Sequence, residues 1–146
     1  MRLSTKGRYA VMAMADLARR QDERAVALAD IAQRQEISLS YLEQLFARLR
    51  RSGLVVSARG PGGGYRLARG AHDTNIAEIV LAVDEPLQAT RCGGPDAHKG
   101  CMASGEKCLT HDLWEGMGRQ IHTYLASVSL ADVVEGRLRA QGSVAA

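Results

Sequence analysis

The sequence predicts a mostly α-helical fold that contains one two-stranded β-hairpin. Three features predict it: a short amphipathic helix followed by a tight turn and a longer helix, a glycine-rich loop between two short apolar strands, and a long amphipathic helix in the last third of the chain. Short helix, turn and longer helix is the order of a helix-turn-helix, and a hairpin directly after it forms a wing. We therefore predict a winged helix-turn-helix domain with a long C-terminal dimerisation helix.

Length and charge limit the class of protein. The 146 residues suffice for one medium domain, or for a small domain with an added element. No apolar run approaches a membrane span and the amino terminus lacks the apolar core of a signal peptide, so we expect a cytoplasmic protein without a membrane partner. The net charge of +3 divides into +7 for residues 1–70 and −4 for residues 71–146. A basic first half is typical of a nucleic-acid-binding module.

The first two helices are predicted from periodicity. Thr5 is expected to cap a helix that runs to about Arg20, with Tyr9, Ala13 and Leu17 on its buried face. A second helix is predicted around residues 28–33. The tight turn of the helix-turn-helix then falls on residues 35–37, without the glycine that often occurs there.

The third helix is the predicted recognition helix. Ser40 and Glu43 suggest a capping box at its start, and Gly53 suggests its end. Its polar face, together with the wing, supplies the predicted DNA-binding residues: Ser38, Ser40, Tyr41, Glu43, Gln44, Arg48, Arg50, Arg59 and Gly60. Gln44 can pair with adenine and Glu43 can accept from the amino group of cytosine. Glu43 is therefore a candidate specificity residue as well as a candidate cap.

The wing is predicted from residues 54–57 and 65–68 as strands with a glycine-rich loop between them. Gly62, Gly63 and Gly64 permit positive φ and close backbone approach. Arg59 at the base of the loop can enter a minor groove or bind a phosphate. A nucleotide-binding loop is disfavoured, because neither a Lys-Ser/Thr pair nor a helix follows the glycines.

Two further helices are predicted after the wing. Asn75 and Glu78 suggest a capping box for a helix that ends before Pro86. A longer helix begins at Thr110 with an apolar stripe of Leu113, Trp114, Met117, Ile121, Tyr124, Leu125 and Val128. Such a stripe must be buried, and a second copy of the chain is the expected partner because many major-groove readers are symmetric dimers.

Three cysteines and one histidine lie close together in the sequence. Cys92, Cys101, Cys108 and His111 are separated by eight, six and two residues, and the chain has no other cysteine. Thiolates and imidazole bind zinc and iron-sulfur clusters alike, so the residues alone leave the metal open. Three free, reduced thiols are the alternative. Disulfides are disfavoured because the number of cysteines is odd and no feature indicates secretion.

Several motifs together resemble the IscR-type regulators of bacteria, which are winged-helix transcription factors. These are MRLSTKGRYAV at the start, ISLSYLEQLFARLR, RGPGGGY, AVDE, ATRC and CLTHDLW, and the similarity covers about residues 1–134. The resemblance implies a homodimeric repressor and activator that carries a 2Fe-2S cluster on Cys92, Cys101, Cys108 and His111. It further implies binding to a double-stranded DNA operator, control of iron-sulfur cluster assembly genes including the chain's own operon, and the assembly machinery as cluster donor. The gaps between the cysteines are longer than the family pattern, and His98 lies inside the first gap.

These predictions divide the chain into four parts. Residues 1–85 form the winged domain, 86–111 the cluster-binding loop, 110–134 the dimerisation helix with a short following helix, and 135–146 a flexible tail. We expect the ligand loop to be coupled to the recognition helices across the dimer. A nitric-oxide or redox sensor of the same fold and a DNA-binding regulator with structural zinc remain alternatives. An electron carrier or cluster scaffold would need no wing, and no catalytic arrangement indicates an enzyme.

Overall fold

The computed structural model describes residues 4–20, 24–83, 85, 87, 90, 92 and 100–138. In these residues the chain forms six α-helices, one antiparallel hairpin and a short 3-10 turn at Ala71–Asp73. The elements in chain order are α1 Thr5–Arg19, α2 Leu28–Gln35, α3 Leu39–Arg51, β1 Val55–Ala58, β2 Gly64–Leu67, α4 Ile76–Ala82, α5 His111–Ser127 and α6 Leu130–Val134. The predicted mostly helical fold with a two-stranded wing is confirmed.

One core holds the winged domain together. It lies where α1 meets α2, α3, α4 and α6, and Met14, Leu17, Phe46 and Ile79 are among its fully buried side chains. The predicted apolar face of α3 is confirmed, since Leu42, Leu45, Phe46 and Leu49 are all buried. Burying such side chains contributes about 1.5–3 kcal/mol each, so this face holds α3 in position and leaves its polar face outward.

The start of α3 differs from the prediction. Ser38 is the N-cap, with φ −62° and ψ 138°, and its side chain accepts a hydrogen bond from the amide of Tyr41. Ser40 therefore lies inside the first turn, and the capping box predicted from Ser40 and Glu43 is wrong. The physical reason is that both serines have suitable side chains, and the extended backbone at Ser38 decides between them.

The predicted N-cap of α1 is wrong, whereas the predicted capping box of α4 is confirmed. Ser4, rather than Thr5, is the N-cap of α1, and Thr5 is the first helical residue. The capping box at α4 is confirmed: Asn75 accepts from the amide of Glu78 at 3.0 Å, and Glu78 accepts from the amide of Asn75 at 3.1 Å.

The turn between α2 and α3 is made without glycine. α2 extends to Gln35, two residues beyond the prediction, and Glu36 then adopts the left-handed conformation with φ 55°. The amide of Ile37 donates back to the carbonyl of Ala32 at 3.0 Å and closes the turn. Glycine adopts the left-handed conformation in many such turns, and Glu36 adopts it here at some conformational cost.

The wing is an antiparallel pair in which Val55 lies opposite Leu67 and Ala58 opposite Gly64. A third segment joins it, because Val26 exchanges two backbone hydrogen bonds with Tyr65, of 2.9 and 2.8 Å. The sequence analysis did not predict this bridge. It attaches the wing to the residues just before α2.

The wing glycines divide between the two predicted reasons, positive φ and close backbone approach. Gly60 and Gly62 have positive φ, of 93° and 74°. Gly63 and Gly64 do not; there a Cβ would lie 2.6 Å from the carbonyl oxygen of Ala58 and 2.1 Å from that of Val26 respectively. The prediction of positive φ is thus correct for Gly62, whereas Gly63 and Gly64 permit close backbone approach.

After α5 the chain returns to the winged domain. The amide of Ile76 donates to the carbonyl of Val128, and the amide of Leu130 donates to that of Thr74, both at 2.9 Å. Val128, predicted on the stripe of the long helix, is buried in the core. Of the predicted flexible tail, residues 139–146 lie outside the described part, while Leu138 packs against the core.

A buried carboxylate joins α1 to the end of α2. Asp16 accepts two hydrogen bonds from Arg34, of 3.0 and 2.7 Å, and one of 2.8 Å from Gln35. Burial works to raise the pKa of Asp16, but the hydrogen bonds from Arg34 and Gln35 outweigh it and hold the pKa below the ordinary value of 3.8.

We expect Asp16→Asn to lower the free energy of unfolding by about 2 kcal/mol at pH 7, because the buried site then loses the carboxylate that accepts hydrogen bonds from Arg34 and Gln35. Since the folded pKa is depressed, the carboxylate's contribution is complete above about pH 5 and is lost as the pH falls through the folded pKa. Urea unfolding at pH 7 and at pH 3 measures this. Asp30→Asn, at an exposed position of α2, is the control and should change stability by less than about 0.5 kcal/mol. A deficit of equal size at both pH values would contradict the assignment.

Candidate metal centre and DNA interface

The fold brings together the four predicted metal ligands, Cys92, Cys101, Cys108 and His111, which we call the ligand quartet. Cys92 Sγ lies 3.7 Å from Cys108 Sγ, and Cys101 Sγ lies 3.5 Å from His111 Nδ1. The ligand atoms of Cys92, Cys101 and His111 are all within 4.8 Å of one another. His98, the other histidine considered as a ligand, lies outside the described residues.

The start of α5 and the turn before it hold the quartet. His111 is the first residue of α5, and the amide of Cys108 donates to Cys101 Sγ at 2.9 Å. The N-cap Thr110 has its hydroxyl 3.7 Å from Cys108 Sγ and accepts a hydrogen bond of 3.1 Å from the indole of Trp114. A short polar network thus fixes Cys108 relative to the helix.

The pKa values of Cys92 and Cys108 are shifted in opposite directions. Burial raises the pKa of Cys92 above its ordinary value. Hydrogen bonds from Cys101 and Thr110 to the Cys108 sulfur lower the pKa of Cys108 to about 7. A thiolate is the form of cysteine that binds a metal, so Cys108 is the thiol most readily prepared for it near neutral pH.

The residues of the quartet fit a metal or cluster. Two sulfurs on one tetrahedral metal with bonds of 2.3 Å lie about 3.8 Å apart, close to the contact between Cys92 and Cys108. The imidazole of His111 is 2% exposed, and its Nδ1 lies 3.5 Å from Cys101 Sγ. Three thiols and one imidazole are an acceptable donor set for zinc and for an iron-sulfur cluster.

The predicted base-reading residues lie at the amino-terminal end of α3. Ser38, Ser40, Glu43 and Gln44 are exposed there. Tyr41 is half-buried, with its hydroxyl 3.5 Å from Thr5 Oγ1 and its ring edge-on to Tyr9 at 5.9 Å between centroids. The start of α1 therefore supports the end of α3 that would face bases.

The predicted phosphate-binding residues differ in exposure. Arg50 and Arg59 are exposed, and Gly60 lies beside Arg59 in the wing loop. Arg48 is half-buried and donates to the carbonyl of Val83 at 3.3 Å, so at least one of its donors joins α3 to the end of α4.

Sequence reasoning missed a contact between Glu85, seven residues before Cys92, and Ser4 at the start of α1. Glu85 is buried, and its carboxylate accepts hydrogen bonds from the amide of Ser4, at 3.2 Å, and from the Ser4 hydroxyl. It satisfies an amide at the start of α1, where a negative charge is also favourable. The two residues are 81 positions apart, and no local pattern marks the pair.

The stripe of α5 remains partly uncovered. Trp114, Met117 and Ile121 are half-buried, while Leu113 and Tyr124 are 62% and 54% exposed. None of the helices in the described part combines the length and apolar character that crossing a membrane requires.

Comparison with known proteins agrees with this fold. Residues 3–136 match the model of the Rrf2 family, described as an iron-dependent transcriptional regulator. An HTH-type transcriptional regulator of Azotobacter vinelandii is 58% identical over 92% of this chain and 79% of its own length, and IscR of Xenorhabdus nematophila is 54% identical over 94% and 81%.

Solved structures show the same architecture. T. potens IscR superposes with a TM-score of 0.75 at 38% identity, covering 97% of this chain and 91% of its own. CymR of B. subtilis, the global cysteine regulator, superposes with a TM-score of 0.77 at 30% identity, covering 92% and 97%. The chain therefore belongs to the Rrf2 family of transcriptional regulators and has their winged-helix fold.

Proposed function

We propose that this chain is a homodimeric regulator of the IscR type, which binds an operator in double-stranded DNA and adjusts transcription to iron-sulfur cluster supply. The quartet would hold a 2Fe-2S cluster delivered by the cluster assembly machinery. The regulated genes would be those of cluster assembly, including the chain's own operon. Residues 1–85 would bind DNA, 86–111 would bind the cluster, and 110–134 would contain the dimerisation helix.

The observation that carries the proposal is the convergence of the quartet. Cys92 and Cys101 are nine positions apart, Cys108 lies in the turn before α5 and His111 is the first residue of α5, yet their ligand atoms form two contacts of 3.7 and 3.5 Å. Free cysteines without a common ligand have no need of this arrangement. A bound cluster would supply a group that oxidants and iron shortage destroy, while the protein holds it in place.

The proposal that this chain binds DNA rests on the exposure of polar side chains and on the charge of residues 1–70. Polar groups are exposed at the amino-terminal end of α3, on Ser38, Ser40, Glu43 and Gln44, and exposed cations lie at the other end of α3 and in the wing loop, on Arg50 and Arg59. The charge of +7 on residues 1–70 favours the phosphate backbone, whereas −4 on the remainder does not.

The proposal of a homodimer rests on the exposed apolar side chains of α5. Leu113 and Tyr124 expose more than half of their surfaces in one chain, beside half-buried Trp114 and Met117. Covering this stripe with the same helix of a second copy would bury apolar surface and space two recognition helices for two half-sites.

A route from the quartet to α3 supports coupling between them. Glu85 precedes Cys92 by seven residues and holds Ser4 at the start of α1. The next residue, Thr5, lies against the hydroxyl of Tyr41 on the recognition helix. A displacement of Glu85 would therefore reach the end of α3 that is proposed to read bases through two contacts.

Purification without oxygen tests the cofactor. We expect about two irons and two sulfides per chain, with visible charge-transfer bands that disappear in air. One zinc per chain and no colour would replace the sensor with a regulator that carries a structural metal. Bands that respond to nitric oxide at unchanged cluster supply would favour the nitric-oxide sensor.

Operator titration tests the switch. The cluster-loaded protein and a variant in which all three cysteines are alanine should differ in relative affinity for two classes of site, when measured at one salt concentration. Equal affinities and equal site preference would refute regulation by the cluster.

We expect Glu43→Ala to relax sequence preference by about 5-fold to 100-fold at one base pair, with a smaller change in affinity for the best site. Because Glu43 is exposed and is not a helix cap, stability should be unchanged. Binding to a set of single-base operator variants measures this. If the ranking of sites stays the same, Glu43 does not read a base.

We expect Arg59→Ala to weaken binding to all sites by a similar factor, about 10-fold, and to reduce the slope of log affinity against log salt by about one. The loss of one phosphate contact explains both effects. Titrations at several salt concentrations measure it, with Arg137→Ala as the control, since that arginine lies after α6 and outside the predicted interface. An unchanged salt slope would remove Arg59 from the interface.

A further inference from the structure

We propose that Glu115 is the positioning residue that holds His111 in the tautomer a metal requires. The inference rests on the proposed function, because it concerns the same quartet. It assigns a role to a side chain that sequence reasoning did not single out.

The two nitrogens of His111 face different surroundings. Nδ1 lies 3.5 Å from Cys101 Sγ, on the side of the other ligands. Nε2 is buried and forms no hydrogen bond with any described residue. The polar atom next to Nε2 is Oε2 of Glu115, at 3.6 Å, one helical turn further along α5.

The contact with Glu115 determines which ring nitrogen of His111 carries hydrogen. A ring nitrogen that binds a metal must be unprotonated, and in the neutral ring the other nitrogen then carries the hydrogen. A carboxylate only accepts hydrogen bonds, so Glu115 favours hydrogen on Nε2 and leaves the Nδ1 lone pair directed at the cysteines. Metal-binding histidines commonly use a carboxylate in this way.

The surroundings of Glu115 keep it in place. Arg119, one turn later, approaches its other carboxylate oxygen at 3.8 Å, and Glu115 and Cys92 line the same cavity of about 410 Å³. Its side chain is only 34% exposed. A contraction of a few tenths of an ångström would turn the contact with Nε2 into a hydrogen bond.

Asp112 is the competing carboxylate. Its ligand oxygen, like that of Glu115, lies within 4.8 Å of a nitrogen of His111. Asp112 is exposed, however, and makes no ion pair with the imidazole, although the structure describes both residues. Asp112→Asn therefore provides a matched control that removes a nearby charge and leaves Glu115.

The tautomer can be read in the metal-free protein. With ¹⁵N-labelled chain, the ring nitrogen shifts of His111 should show an unprotonated Nδ1 and a protonated Nε2. Glu115→Ala should raise the population with hydrogen on Nδ1 several-fold, while Glu115→Gln should have a smaller effect and Asp112→Asn none. A wild-type ring with hydrogen on Nδ1, or a tautomer that Glu115→Ala leaves unchanged, would overturn the proposal.

Cobalt(II) binding provides a second readout. Its thiolate bands should appear with an affinity about 10-fold to 100-fold lower in Glu115→Ala than in the wild type and in Asp112→Asn. Circular dichroism verifies that the variants are folded. Equal affinities would count against Glu115. If the protein showed the expected tautomer but never acquired iron and sulfide, the proposed cluster function would fail while the role of Glu115 would stand.

Discussion

Gly64→Ala is expected to lower the free energy of unfolding by about 3 kcal/mol and the melting temperature by about 10 °C. A Cβ at this position would lie 2.1 Å from the carbonyl oxygen and 2.3 Å from the carbonyl carbon of Val26. Both atoms belong to the backbone, so no side-chain rotation relieves the clash. The chain can avoid it only by separating β2 from Val26, which breaks the two hydrogen bonds between Val26 and Tyr65.

Gly64→Ala should also weaken DNA binding, because the Val26 bridge anchors the wing that carries Arg59. Thermal unfolding and operator titration measure the two effects. Gly70→Ala is the matched control: Gly70 has φ −60°, and its Cβ would be 3.8 Å from a side-chain oxygen of Asp73, an ordinary contact. If both variants melt at the same temperature, the bridge does not anchor the wing.

Gly100→Ala is expected to reduce bound iron to less than about a tenth of the wild-type content. Gly100 has φ +77°, and a Cβ there would lie 2.2 Å from the carbonyl oxygen of Gly105. The turn between them is closed by hydrogen bonds between Met102 and Glu106 and between Gly105 and Met102, of 3.0 and 2.9 Å. Because Cys101 follows Gly100 directly, opening this turn removes one ligand from the quartet.

The fold should survive this change, since the core takes no side chain from the described residues 100–110. Iron and sulfide analysis after anaerobic purification, with circular dichroism, separates loss of ligand from loss of fold. Gly116→Ala is the control, because the nearest atom to its Cβ would be Arg119 Nη2 at 3.8 Å. A Gly100→Ala protein that is fully loaded with iron would mean that this turn does not hold Cys101 in place as a ligand.

The local parts of the fold could be predicted from the sequence. The apolar spacing of Leu42, Leu45, Phe46 and Leu49 predicted α3, and all four side chains are buried. The error at its start arose because Ser38 and Ser40 are equally good caps by residue type. Only the backbone conformation distinguishes them.

The parts that could not be predicted are contacts between distant segments. Nothing around Val26 indicates that it pairs with Tyr65, and nothing around Ser4 indicates Glu85. Such pairings depend on how complete elements pack. The quartet was predictable as a set because its chemistry is rare, but the two faces of His111 became evident only in three dimensions.

The return of the chain to the core at Val128 and Leu130 determines how the end of α5 is held. Its backbone hydrogen bonds with Ile76 and Thr74 fix the carboxyl end of α5 against the residues that begin α4. The residues between α4 and α5 therefore belong to a stretch that leaves the winged domain and rejoins it, and a change in the length of that stretch leaves the contacts at Val128 and Leu130 in place at small entropic cost.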